Sequence, residues 1–339
     1  MTAVPLHNRL TELLGVDYPI VQAPMGYIAR AQLASAVSNA GALGIIETSS
    51  GQLDQVREEV KKMRDLTDKP FGFNVAQLFV HDLEIVDFVH SHDVRFVTTS
   101  AGDPSRYTEA LHEAGITVFH VVPSLRAALK AIAAGVDGIV AEGGEGGGFK
   151  ASRDVASMVL LPLVCAKVDV PVIAAGGICD GRSMAAAFAL GAEGVQMGTR
   201  MVSAAESPVH TNYKQLIVDS AETGTVFLNR WHKPSFRVLA TPFSENLEQS
   251  DERVGIASLD RLLDLYFGGN LDAAFAFGGQ VAGRIEDVRP VADIIQETVA
   301  EFYDTIASLR ARYHPEPAEQ AESGAPGPER PGARGATSG

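Results

Sequence analysis

The sequence is poor in cysteine, in tryptophan and in positive charge. Its 339 residues hold two cysteines, Cys165 and Cys179, and one tryptophan, Trp231. Neither cysteine sits in a C-x-x-C motif, so zinc binding and dithiol redox chemistry have no support. Both read as buried thiols of a reducing compartment. Lys and Arg number 28 against 42 Asp and Glu, a formal net charge of −14. That excludes a broad basic face for nucleic acid or an anionic membrane surface. No apolar run reaches the roughly 18 residues a membrane helix needs. Residues 1–9 contain Pro5, His7 and Arg9 but no apolar stretch, so no signal peptide is expected and the expected location is the cytoplasm. No G-x-G-x-x-G is present. No metal site is expected either, because His90 and His92 lack a third ligand. Apolar residues make up 46%, enough for a large core. What is left is an acidic globular protein with a small-molecule partner; a homodimer stays open.

What is present is a repeat of type. Short apolar, often β-branched runs occur at residues 19–22, 43–46, 71–75, 94–98, 116–120, 138–141, 172–175 and 194–197. Their composition suits parallel strands covered on both faces. Amphipathic stretches separate many of them, at 30–40, 53–65, 105–113, 124–134, 155–168 and 181–190. Several end in a glycine where the chain must turn back: Gly41, Gly115, Gly135 and Gly191. Eight such units in a row predict a closed (β/α)8 barrel (TIM barrel). A doubly wound open sheet is the structural alternative.

The pattern breaks after Thr199. Residues 208–288 are expected to form a helical cap over the barrel mouth, with a helix at 213–222. Trp231, Tyr213, Phe227 and Phe236 suit packing within that cap. A long helix over 291–312 closes the barrel, which is expected to comprise 1–207 and 289–312. The last residues, 313–339, are rich in Pro, Gly, Ala and Glu and are expected to be a disordered tail.

In such barrels the working end is the C-terminal mouth of the strands. After strand seven stands Ala174-Ala175-Gly176-Gly177-Ile178, and after strand eight Gln196-Met197-Gly198-Thr199-Arg200. Glycines at these two loops let backbone N–H groups approach phosphate oxygens, and Thr199 adds a hydroxyl. Arg200 could pair with phosphate or with a carboxylate. After strand six comes Glu142-Gly143-Gly144-Glu145-Gly146-Gly147-Gly148-Phe149-Lys150. So many glycines suggest that something flat lies close to the backbone. Gln22-Ala23-Pro24-Met25-Gly26 after strand one and Asn74 at strand three offer groups for the edge of a heterocycle.

Together these segments resemble the nitronate monooxygenase (2-nitropropane dioxygenase-like) family of FMN-dependent oxidoreductases, which neighbours the flavin-dependent enoyl-acyl-carrier-protein reductases. The resemblance runs from about residue 8 to about residue 310, and Gly279-Gln280 with Gly283 belongs to it. It implies FMN at the barrel mouth. Ala23, Pro24, Met25 and Asn74 would meet the ring edge, and Glu142 and Gly147 would lie beside it. Gly177, Gln196, Met197, Gly198 and Thr199 would hold the ribityl phosphate.

Two positions depart from the family. Its loop usually ends Gly-Gly-His, that histidine handling protons, and here the position is Phe149. Lys often follows the histidine of strand five, and here Val121 follows His120. Phe149 cannot act as a base. It is expected instead to shape a substrate pocket with Lys150, which could also contact an anion or NAD(P)H as electron donor. His120 is the candidate substitute proton carrier; His210 and His232 lie in the cap. The expected activity is oxidation of alkyl nitronates with O2. The alternatives are an NAD(P)H-dependent reductase of an activated alkene or quinone, and a non-redox barrel that binds a phosphorylated metabolite.

Overall fold

Each of the eight apolar runs forms a parallel strand, because strands buried on both faces need no polar alternation. The computed structural model describes residues 4–49, 53–250, 252–255 and 261–314. The first six strands are β1 (Ile20–Gln22), β2 (Gly44–Glu47), β3 (Phe71–Ala76), β4 (Phe96–Ser100), β5 (Thr117–Val122) and β6 (Gly138–Glu142). A short β7 (Gly148–Lys150) belongs to another sheet, and β8 (Val172–Ala175) and β9 (Gly194–Met197) complete the eight. Pairing runs from β2 through β6, β8 and β9 to β1. Between β1 and β2 the ladder is a single bridge, Val21 to Leu43, with N–H bonds of 3.0 and 2.9 Å on either side. That seam closes the sheet into a (β/α)8 barrel and excludes the open alternative.

Helices Ala31–Asn39, Leu53–Leu66, Leu125–Ala133, Ser157–Cys165 and Gly181–Ala189 lie where the apolar spacing places them. The stretch expected at 105–113 is a 3-10 turn, Pro104–Arg106, followed by helix Thr108–Glu113. Gly41, Gly115, Gly135 and Gly191 all have left-handed φ, between +74° and +100°. Two helices go beyond the sequence expectation, Glu84–Ser91 and the six-residue Arg9–Leu14. The second is set by a reciprocal cap between Asn8 and Thr11. Its Leu10 and Leu14 plug the bottom of the barrel.

The strand registers separate lumen from outer face. Leu10, Leu14, Val21, Leu43, Ile45, Phe96, Phe119, Val140, Ile173 and Ala175 form one cluster, the lumen core. Register carries that face along Glu47–Asn74–Thr98–Phe119 and along Glu142–Ala175–Gln196–Val21. The lumen therefore becomes polar toward the strands' C-terminal ends, where Glu47, Asn74, Thr98, Glu142 and Gln196 stand. The opposite face packs under the helices in the main core.

The region after β9 differs from the expected helical cap. It has helices Thr211–Val218, Pro242–Gln249 and Leu262–Tyr266 and a 3-10 helix, Gln280–Arg284. It also supplies β10 (Thr225–Leu228) and β11 (Ser235–Leu239), which pair antiparallel with β7 in the order β10-β11-β7. Val226, Leu228, Phe236 and Val238 alternate into a separate core with Phe275, the period of two that a half-buried sheet requires. Tyr213, Phe227 and Phe236 pack as expected, but Trp231 is 74% exposed in the β10–β11 turn. Helix Val291–Tyr313 closes against Gly181–Ala189, with the Phe188 and Phe302 rings 5.0 Å apart. Residues 315–339, where most of the expected tail falls, lie outside the described residues. Among the described residues no helix is long and apolar enough to cross a membrane.

Candidate active site at the barrel mouth

The glycine-rich loop after β6 is shaped first by its own packing. A Cβ at Gly147 would lie 2.5 Å from the carbonyl carbon of Gly278, and one at Gly144 would lie 2.8 Å from Asp154 Oδ2. Gly147 is thus small because another stretch of backbone crosses it. Glu145 braces the same loop. Its carboxylate accepts from the Ser157 N–H at 2.9 Å and the Ser157 hydroxyl at 3.0 Å, capping the following helix. Arg237 on β11 donates to the Gly144 carbonyl at 2.7 Å and reaches Asp154 and Thr225. The Gly279-Gln280 segment ties two loops together. The Gln280 N–H donates to the Glu145 carbonyl and the Gly279 N–H to Thr199 Oγ1, both at 2.9 Å.

Strand alternation in β7 sends Phe149 and Lys150 to opposite sides. Phe149 joins Phe79, Phe236 and Phe277 in an aromatic cluster, with centroid separations of 5.1–5.9 Å. The Lys150 side chain is 4% exposed and donates from Nζ to Glu142 Oε1 at 2.5 Å. The ion pair lies against Gly146, where a Cβ would be 2.7 Å from both atoms.

In the loop after β8, Gly176 and Gly177 both adopt left-handed φ, +82° and +81°, which only glycine does without strain. Gly198 approaches Ala23, its added Cβ lying 3.5 Å from the alanine methyl. The Ala23 N–H donates to the Met197 carbonyl at 2.9 Å. Met197 itself is buried in the outer core, so its side chain does not line the mouth. Gln196 does line it, and its buried Oε1 has no hydrogen-bond partner. Arg200 is held by Asp287, with a 2.8 Å bond to the carbonyl and a 3.2 Å contact to the carboxylate. It is a structural cation rather than a phosphate ligand.

Pro24 and Met25 sit half-buried in the loop after β1. Glu47, invisible to motif reading, anchors that loop: the fully buried carboxylate pairs with Arg30 at 2.8 Å and accepts from the Tyr27 N–H and the Ser49 hydroxyl. Asn74 is buried, and its amide N–H groups are directed to Thr98 and Ser100 on β4.

His120 is not at the mouth. Its register partners are Thr99 and Ile139, on the helix-facing side of the sheet. It is buried there, with Nδ1 2.7 Å from Thr99 Oγ1. Burial pushes its pKa down to about 4. A neutral imidazole behind the barrel wall cannot serve as the proton carrier. His210 caps helix Thr211–Val218 by accepting from the Asn212 N–H, and His232 is exposed. A cavity of about 760 Å³ lies beside Tyr27, Arg30, Glu59, Lys62 and Phe267.

Residues 7–85 and 76–301 match the nitronate monooxygenase family. A (3aS,4S,5R,7aS)-5-hydroxy-7a-methyl-1-oxo-octahydro-1H-indene-4-carboxyl-CoA dehydrogenase of Mycobacterium tuberculosis is 37% identical over 256 residues, 75% of this chain and 72% of that protein. A probable nitronate monooxygenase of Staphylococcus saprophyticus is 30% identical over 294 residues, 74% of this chain and 83% of that protein. The structure of FabK from Thermotoga maritima aligns with a TM-score of 0.86 at 38% identity, covering 90% of this chain and 99% of that one. The chain belongs to the nitronate monooxygenase family and is an oxidoreductase of a flavoprotein fold group.

Proposed function

We propose that this oxidoreductase holds FMN at the barrel mouth and oxidises alkyl nitronates with O2. The observation that carries the reading is the orphaned Gln196 Oε1, a buried acceptor on the lumen face. An unpaired buried acceptor is costly, and a ring N–H of a heterocycle would satisfy it. Gly177, Gly198 and Thr199 fit the phosphoryl end. Paired left-handed glycines and a helix start offer backbone N–H groups, and the Thr199 hydroxyl still has its hydrogen to donate. Ala23, Pro24 and Met25 fit the ring edge. When bound, the flavin supplies the two-electron redox chemistry that no side chain here provides. The protein's share is orientation through Gln196 and the Glu47-anchored first loop, and exclusion of water by the aromatic cluster around Phe149. The non-redox barrel has no place in this family.

A second reading, NAD(P)H-dependent reduction of an activated alkene or quinone, is favoured by the likeness to FabK and by the absence of histidine at position 149. A visible spectrum of the purified protein, followed by anaerobic titration with NADH, NADPH and ethyl nitronate, tests both. A flavin spectrum bleached by the nitronate supports the first reading. Bleaching by a nicotinamide alone supports the second. A colourless protein that takes up no FMN refutes both.

A further inference from the structure

We propose that Glu142 accepts the substrate's proton in this chain and that Lys150 positions it. The inference rests on the mouth being the redox site and adds the base that Phe149 cannot be. The other titratable groups nearby are engaged elsewhere. Glu47 is fully buried by Arg30, Tyr27 and Ser49. Glu145 caps Ser157, and His120 lies behind the barrel wall. Glu142 ends β6 on the lumen face, one register step from Ala175 and two from Gln196. Its side chain is 26% exposed, while that of Lys150 is 4% exposed.

Lys150 holds one carboxylate oxygen, Oε1, at 2.5 Å. An ionised carboxylate has acceptor capacity on both oxygens, so the second can meet a substrate. The pair has room because position 146 is glycine. The ammonium also supplies a partner charge for a carboxylate drawn partly out of water. The substrate class that follows is a neutral carbon acid, such as a nitroalkane, rather than a preformed nitronate alone. In the step, the C–H bond next to the nitro group breaks. Its electron pair delocalises onto the nitro oxygens, and the proton bonds to the free Glu142 oxygen. No oxidant enters this step.

The test is hydrogen–deuterium exchange at the α-carbon of nitroethane in D2O, followed anaerobically by proton NMR, on protein with and without FMN. Wild type is expected to exceed the buffer rate in both forms. Glu142→Gln is expected to lose at least about 100-fold, the usual scale of general-base catalysis. Lys150→Met should lose about 10-fold or more, and Lys150→Arg should recover part of that rate without a change in melting temperature. If Glu142→Gln does not fold, Glu142→Asp, with its shorter reach, should be slow but folded. Wild type at the buffer rate, or Glu142→Gln at the wild-type rate, overturns the proposal. Glu142-dependent exchange by a protein with no FMN affinity keeps the base and sinks the flavin reading; FMN binding without exchange does the reverse.

Discussion

Acidifying the protein should destabilise it through His120, by an amount that the structure sets. The imidazole is 4% exposed, bonded to Thr99 and pushed from its ordinary 6.5 to about 4, chiefly by burial. Asp103 opposes this fall and Lys130 adds to it, but those two charges pair with each other at 2.7 Å. Because the folded pKa lies below the unfolded one, the unfolded chain binds the proton first as pH drops. Stability therefore rises with pH between about 4 and 6.5 and is lost on the way down. The full difference is about 3 kcal/mol, of which about 2 kcal/mol is already lost at pH 5. The assay is urea unfolding of wild type and His120→Asn at pH 7 and pH 5, with the other carboxylates cancelling between the two proteins. Wild type should lose about 2 kcal/mol more than the variant over that interval. Parallel losses would show that the imidazole is already charged or hydrated in the native state, and the placement behind the barrel wall would be wrong.

The glycine-rich loop makes two substitutions unequal. Gly147→Ala pushes a methyl into the Gly278 backbone and should cost about 1–3 kcal/mol or more, read as a fall in melting temperature. Gly146→Ala meets only the ends of the Glu142 and Lys150 side chains, so it should fold near-normally yet reduce nitroethane exchange. Equal melting temperatures for the two would refute the backbone crossing. Arg237→Met strips a buried cation from Asp154 and the Gly144 carbonyl and should cost about 2–4 kcal/mol. FMN occupancy, measured by absorbance, should fall with it; an unchanged melting temperature would mean that the loop holds itself.

The barrel was legible because its signals are local. Runs such as 172–175 and 194–197 need only a few β-branched and small residues in a row, and both became strands with those bounds. Gly41 and Gly191 announced left-handed turns because no other residue adopts them cheaply. The short β7 carries no readable signal because three residues at the end of a glycine run have no period, and its partner β11 lies far along the chain. His120 shows the limit most directly. A strand's faces alternate with each residue, so a side chain's destination depends on the parity that barrel closure imposes. Sequence placed His120 near a strand end; register put it under the helices, while the same rule turned Glu142 and Gln196 inward. Composition and local pattern thus determined the strands, the turns and the family. Only the closed sheet decided which polar groups share the lumen, because that depends on pairings between residues distant in the chain.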